Sequence, residues 1–171
     1  MKRIITILVC LMMVNTSFAQ NDAINTFFKQ HQENPDFTVI SISPKMFKMI
    51  SKVKWENVEQ PVKDMISQLS SFRMLTTEKN GTSFYNDAIK RLNVKEYEEL
   101  MTVRDKNENI RFLIKESGNV VNELVMLLGS DTDFMLMSLT GKIDLDNISK
   151  LGQTVNIKGM EKIEKVEKKP K

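Results

Sequence analysis

The 171-residue sequence contains one histidine and one cysteine that could take part in catalysis. His31 stands beside Lys29, Gln30 and Gln32 at the polar end of a predicted helix, and this setting predicts a surface histidine rather than the oriented base that a nucleophile needs. Cys10 lies in a segment predicted to be removed, so the mature chain would have no thiol nucleophile and no thiolate ligand. A zinc site built almost only from carboxylates would be unusual.

Two groups of acidic residues could carry carboxylate chemistry. Asp131 and Asp133 could hold Ca²⁺ through oxygen ligands, but the further spaced acids of a calcium loop are missing, and turn formation explains both residues. Glu96, Glu98 and Glu99 could include the acid/base pair of a glycosidase, which would also need a sugar cleft with aromatic walls. A solvated face is the better interpretation. We therefore expect no catalytic residue, no metal and no cofactor, and hence no enzyme.

Methionine is the most unusual feature of the composition, with twelve residues, three of which precede residue 20. Met126, Met135 and Met137 are concentrated on two predicted central strands. Flexible thioethers fill cores, and they also line adaptable apolar pockets or promiscuous interfaces. Core filling is favoured. If one face of the sheet is left uncovered, the surface bearing Met126, Met135, Leu136 and Met137 is the best candidate for binding a partner.

The stretch from Tyr97 to Thr140 must position these side chains, and it contains four strand-like runs separated by turn residues. The first two runs alternate polar and apolar residues, which is the period of a strand with one wet face. The third run, Val120–Leu128, is apolar on both faces beyond Glu123, and the fourth, Phe134–Leu139, is apolar except for Ser138, so both strands should be central and covered. Short polar loops between the runs predict antiparallel neighbours, so this stretch should form a four-stranded β-meander.

The preceding sequence alternates helical and strand patterns. Apolar residues at helical spacing, Ser43-Pro44 as a helix start and a β-branched run after Phe37 define these elements. The pattern also allows a helical continuation over Val94–Leu100. The fold class is therefore α+β: a mainly antiparallel sheet of about six strands ends in the meander, with helices packed on it. The predicted elements before and after the meander are helices at Asp22–His31, Pro44–Val53, Asn57–Ser70, Ser83–Leu92 and Asp144–Leu151 and strands at Phe37–Ile42 and Phe72–Thr77.

The two ends of the chain differ from the body. Lys2 and Arg3 precede an apolar run from Ile4 to Val14, and Ser17-Phe18-Ala19 fits a cleavage site, which predicts a secretory signal peptide over residues 1–19. The apolar run is too short to span a membrane, and no lipobox precedes Cys10, so soluble export to the periplasm or the exterior is favoured over lipoprotein anchoring. Residues 20–152 should form a single α+β domain, followed by a Lys/Glu-rich, mobile tail at 153–171.

The net charge of +3 comes from these two ends. Without Lys2 and Arg3 the chain carries 23 basic and 22 acidic residues, and the tail holds six lysines against three glutamates. The body from residue 20 to residue 152 is therefore slightly acidic. The basic isoelectric point gives no support for a nucleic-acid partner.

Three segments of the sequence resemble a known family. These are Phe37–Phe47, Leu69–Leu75 and the run from Tyr97 through the meander to Asp144. Together they resemble the secreted domain-of-unknown-function family 4252 of Bacteroidetes. The resemblance implies a small envelope protein with a regulatory or surface-associated role, and it supplies no catalytic residues.

The sequence thus favours a non-enzymatic secreted envelope domain that binds a protein or a surface polymer, with a regulatory role as one form of this activity. A small apolar-ligand binder with a methionine-rich pocket is the alternative. A carboxylate-dependent hydrolase ranks third. The sequence leaves the oligomeric state open.

Overall fold

The computed structural model describes residues 22–53, 60–118 and 120–144. The predicted signal peptide, the Lys/Glu-rich tail and all but the first residue of the helix predicted at Asp144–Leu151 lie outside these residues. Within them the predicted order of helices and strands is confirmed. The elements are α1 (Asp22–His31), β1 (Thr38–Ile42), α2 (Pro44–Ile50), α3 (Gln60–Gln68), β2 (Leu69–Thr77), α4 (Gly81–Arg91), a 3₁₀ turn (Val94–Glu96), β3 (Glu98–Arg104), β4 (Glu108–Ser117), β5 (Val120–Ser130) and β6 (Phe134–Ile143).

The six strands form one sheet in the order β1-β2-β6-β5-β4-β3, and every neighbouring pair is antiparallel. The predicted meander is confirmed, since β3, β4, β5 and β6 pair in chain order. Strand β2 then pairs with β6, although more than fifty residues separate them in sequence. This pairing makes β5 and β6 central, as their apolar residues on both faces predict.

Helices cover both faces of the sheet. Strand β5 shows why, because Leu124, Met126 and Leu128 point to one face while Val125 and Leu127 point to the other, and all five are buried. On the first face α2 and α3 form the α2/α3 core, which contains Phe47, Val62, Met65 and Ile66. On the second face α1 and α4 form the α1/α4 core, which contains Ile24, Phe27, Phe28, Tyr85 and Ala88.

Several element boundaries differ from the sequence predictions. Leu69 begins β2 instead of continuing the preceding helix, and Val94–Leu100 contains a 3₁₀ turn and the start of β3 rather than a helix. The last strand does not end by Thr140, as the sequence predicts, because β6 continues to Ile143. Gly141 instead takes φ +143° inside the strand, beside a register shift between Leu69 and Ser71 on β2. An irregularity of this kind needs glycine, and it lets β6 pass close to the start of β2.

Replacing Gly141 by alanine should destabilise the fold. A Cβ atom there would meet the Gln68 carbonyl oxygen at 2.5 Å and the Leu69 Cα at 2.7 Å, both backbone atoms that cannot move aside cheaply. We expect Gly141→Ala to lower the free energy of unfolding by about 2–4 kcal/mol, from backbone strain together with this clash. Urea unfolding followed by circular dichroism measures it.

Gly118→Ala is the matched control. Gly118 also has a positive φ, +64°, but a Cβ atom there would have no heavy atom within 4 Å. Its cost should be limited to about 1 kcal/mol of conformational strain. Equal losses for the two variants would show that the close approach of β6 to β2 does not constrain residue 141.

Candidate functional site

The four residues proposed from the sequence as an interaction surface are all in the interior. Met126, Met135 and Met137 are buried in the α2/α3 core, and Leu136 is buried in the α1/α4 core on the opposite face. Both faces of the central strands are covered, so these side chains form no exposed surface. The prediction of an interaction surface at these four residues is therefore corrected, and their role is to fill the core.

The acidic residues considered for catalysis do not converge. Glu96 pairs with Lys115 at 3.2 Å, and Glu99 lies 3.8 Å from Arg111, both near the start of β3. Asp131 and Asp133 lie in the turn between β5 and β6, at the opposite end of the sheet from these two glutamates. That turn is closed by hydrogen bonds from the Ser130 and Asp133 amides, as expected of turn chemistry. No group of three or more potential metal ligands exists among the described residues.

His31 is buried, so its predicted surface position is wrong. Its ring lies 4.5 Å from Phe27, 5.1 Å from Phe37 and 5.4 Å from Phe84, measured between ring centroids. The helical period explains this, because His31 follows Phe27 by four residues and shares its inward face. Its Nε2 atom is buried without a hydrogen-bond partner in the part of the chain that is described. Burial lowers the pKa of His31, with Asp87 opposing that shift and Arg91 adding to it.

The two edges of the sheet differ in how they are protected. Edge strand β3 carries Glu98, Glu99 and Arg104, and its register with β4 is broken between Glu99 and Met101. Charges and bulges of this kind prevent an edge from pairing with another chain. Edge strand β1 has the sequence Thr-Val-Ile-Ser-Ile, without a charge, and its register with β2 is regular. Among the described residues only β2 pairs with β1, so the outer edge of β1 is available there for an additional strand.

The helix after β1 continues this surface. Of the apolar residues from Met46 to Val53, only Phe47 is buried, with Ile50 partly buried against the α2/α3 core. Met46, Met49 and Val53 are instead 48%, 56% and 54% exposed. The reason is geometric, because a short helix carrying apolar residues around most of its circumference can turn only one stripe toward the sheet. The second stripe, spaced i, i+3 and i+7, remains in solvent.

The surface is also positively charged. From Thr38 to Val53 the sequence contains no acidic residue, while Lys45, Lys48 and Lys52 are all exposed. These lysines take part in none of the ion pairs between described residues. We define the β1–α2 surface as the β1 edge together with exposed side chains of α2 and the turn after it. These lysines could have been recognised from the sequence as a basic helix face, since their spacing of three and four residues places them on one side of a helix. The members of the surface are Val39, Ile40, Lys45, Met46, Lys48, Met49, Lys52 and Val53.

Residues 28–151 match a family model described as a domain of unknown function, DUF4252. No curated protein and no solved structure matches. Among the helices of the described residues, none has the length and apolar character needed to cross a membrane.

The buried His31 should make stability depend on pH. Because burial lowers its pKa below the ordinary value of 6.5, the unfolded chain takes up a proton first as the pH falls. The free energy of unfolding should therefore have its full value above about pH 6.5 and decrease below it. For one proton the slope is at most about 1.4 kcal/mol per pH unit. Urea unfolding of the wild type and of His31→Phe between about pH 7.5 and about pH 5.5 measures this difference.

His31→Phe should show the shallower pH dependence. Phe84→Leu serves as the control, because it disturbs the same aromatic cluster and leaves the titrating ring in place. That control should lose stability at all pH values and keep the wild-type slope. If His31→Phe retained the full slope, other groups would account for the acid sensitivity.

Proposed function

The chain belongs to the DUF4252 family, and we propose that it is an exported, non-enzymatic domain that binds an extended, acidic segment of a partner protein along the β1–α2 surface. The observation that carries this proposal is the difference between the two sheet edges. Strand β3 is guarded by charges and a bulge, whereas β1 is uncharged and regular. An unguarded edge is a liability in an exported protein unless it is used.

The mode of binding follows from the chemistry of a sheet edge. The outward N–H and C=O groups of β1 can pair with an extended backbone, which supplies affinity that depends little on sequence. Val39 and Ile40 are 38% and 39% exposed and flank the added strand on opposite faces of the sheet. Apolar residues of the partner strand would bury these side chains.

The exposed side chains of α2 and the turn after it determine which partner segments the surface favours. Lys45, Lys48 and Lys52 favour an acidic segment, and in exposed positions such charges contribute to orientation and association rate more than to final affinity. Met46 and Met49 add flexible apolar contacts that adapt to several side-chain shapes. A suitable partner segment alternates β-branched residues with Asp or Glu. A regulatory role would consist of holding such a segment when it is exposed.

Export is proposed from the N-terminal sequence. Lys2-Arg3, the apolar run Ile4–Val14 and the Ser17-Phe18-Ala19 site support a signal peptide removed after Ala19. The partner would then be a protein of the periplasm or cell surface, and the sequence resemblance supports an origin in Bacteroidetes. A surface polymer is a less suitable partner, because β1 offers backbone groups in the spacing of a polypeptide.

The other two functions have less support. A methionine-lined pocket would require Met126, Met135 and Met137 to border a cavity, and they are packed inside the α2/α3 core. A carboxylate-dependent hydrolase would require acidic residues that converge in a cleft. Glu96 and Glu99 pair with separate cations, and the two aspartates lie in the β5–β6 turn at the other end of the sheet.

A random peptide-display selection against immobilised residues 20–171 tests the proposed function. We expect enrichment of extended sequences that alternate Val, Ile or Tyr with Asp or Glu. Ile40→Lys should weaken a selected peptide about tenfold or more, because it places a charge on the edge strand, and tenfold corresponds to about 1.4 kcal/mol. Leu100→Lys on the guarded β3 edge, where Leu100 is also exposed, is the matched control and should have no effect.

A second variant keeps the proposal testable if Ile40→Lys fails to fold. Lys45→Glu/Lys48→Glu changes only exposed side chains of α2 and should weaken acidic peptides while reducing the salt dependence of binding. Selection of no acidic strand-like peptide, or equal weakening by Ile40→Lys and Leu100→Lys, would refute the proposal. Binding of anionic phosphatidylglycerol vesicles through the same lysines, without peptide selection, would instead assign the surface to a membrane.

A further inference from the structure

A polar cleft lies between α1 and the sheet, at one end of the α1/α4 core. Its volume is about 310 Å³. The antiparallel register builds its floor, since Ser71 pairs with Thr140 and Thr140 pairs with Glu123 across β2, β6 and β5. Arg73 lies two residues further along β2 on the same face. The residues that line the cleft are Ile24, Asn25, Ser71, Arg73, Glu123 and Thr140.

Glu123 supplies a buried acceptor to this cleft. It is only 5% exposed, and it directly precedes the buried apolar run of β5 that begins at Leu124. Its carboxylate accepts hydrogen bonds from the Tyr97 hydroxyl at 3.1 Å and from the Ser138 hydroxyl at 3.0 Å. Burial, followed by the charge of Glu123, raises the pKa of Tyr97, so the hydroxyl remains a donor. A carboxylate can accept about four hydrogen bonds, which leaves capacity for a ligand.

Arg73 supplies a donor with unused capacity. Its guanidinium lies 4.8 Å from the centre of the Phe28 ring, and its Nη1 atom donates to the Asn25 side-chain oxygen. Its Nε atom is buried and has no partner among the described residues. Burial lowers the pKa of Arg73, and the charge of Glu123 opposes that shift. The guanidinium is therefore held in place by Phe28 and Asn25 while part of its donor edge is unpaired.

Arg73 and Glu123 line the same cleft but form no salt bridge with each other. No ion pair between described residues joins Arg73 to Glu123, although the charge of Glu123 acts on the pKa of Arg73. Glu123 has only neutral hydroxyls as hydrogen-bond donors in the described structure. Partly buried opposite charges that remain apart are costly unless something between them pairs with both. The gap therefore has the charge pattern of a binding site for a molecule with one group of each sign.

We propose that this cleft binds a small zwitterion, with the ligand carboxylate on Arg73 and the ligand ammonium on Glu123. The planar guanidinium offers parallel N–H donors that match a carboxylate. An ammonium has three N–H donors, which Glu123 and the hydroxyls of Ser71 and Thr140 can accept. At roughly 30 Å³ per water molecule, the volume equals about ten waters, enough for a free amino acid or the backbone of a short peptide. This binding would be independent of the β1–α2 surface.

Titration of ¹⁵N-labelled residues 20–171 with the twenty amino acids and with a set of di- and tripeptides tests this site. We expect saturable shifts of amides around Arg73 and Glu123 with at least one zwitterion, at a Kd between roughly 1 μM and 1 mM. Saturation by free amino acids but not by peptides would identify the source of the ligand, and the reverse result would identify peptides. No saturable shift at about 10 mM of any probe would overturn the proposal.

Modified ligands separate binding from a structural role of the two charges. Glu123→Gln should weaken the best zwitterion at least tenfold and leave its weaker N-acetyl form, which lacks the ammonium, unchanged. Arg73→Lys should likewise weaken the zwitterion and leave the amide form, which lacks the carboxylate, unchanged. Equal losses for intact and modified ligands would assign both residues to folding alone and refute the proposal.

A cleft-filling variant provides an independent check. Ser71→Leu fills the cleft and removes none of the hydrogen bonds to Glu123. It should abolish binding, whereas Ser83→Leu on the exposed side of α4 should not. Undiminished binding by Ser71→Leu would overturn the proposed location. Ile40→Lys on β1 should leave zwitterion binding intact, so this result and that of the peptide selection can succeed or fail separately.

Discussion

The pairing of β5 with β6 is the constraint on which the rest of the fold depends. Met126 lies opposite Met137 and Leu128 opposite Met135 on one face, while Leu127 lies opposite Leu136 on the other. Burying one such side chain contributes roughly 1.5–3 kcal/mol, so exposing either face of this pair would cost more than a small domain can lose. Two helical layers are therefore required, and α2 with α3 and α1 with α4 supply them.

Much of this architecture could be predicted from the sequence because it depends on local patterns. The alternation of β4, the apolar residues on both faces of β5 and β6 and the turn residues between them identified the meander. Gly118 at φ +64° and the Asp105 side chain, which accepts from the Asn107 and Glu108 amides, form turns of the expected chemistry. The helices on the α2/α3 face were also identified from their apolar spacing.

The candidate surface could not be predicted because it depends on contacts between distant segments. Pairing of β2 with β6 is what leaves β1 at an edge, and no local pattern in β1 reports that position. For His31, the spacing from Phe27 indicates the inward face of α1, but Phe37 and Phe84, which complete its burial, are contributed by other segments. Met46 and Met49 look like core residues in a helical pattern. Their exposure follows from the stripe containing Phe47, which packs against the sheet first.

Glu123 and Ser138 connect the central strands to the polar cleft. Both are buried, Glu123 at the start of the apolar run of β5 and Ser138 within the apolar run of β6, and the Ser138 hydroxyl donates to the Glu123 carboxylate. A polar pair of this kind adds little stability compared with two apolar residues of similar size, because desolvation offsets most of the interaction. Its position at the open end of the α1/α4 core, facing Arg73 across a cleft, is therefore better explained by what the carboxylate can bind than by what it stabilises.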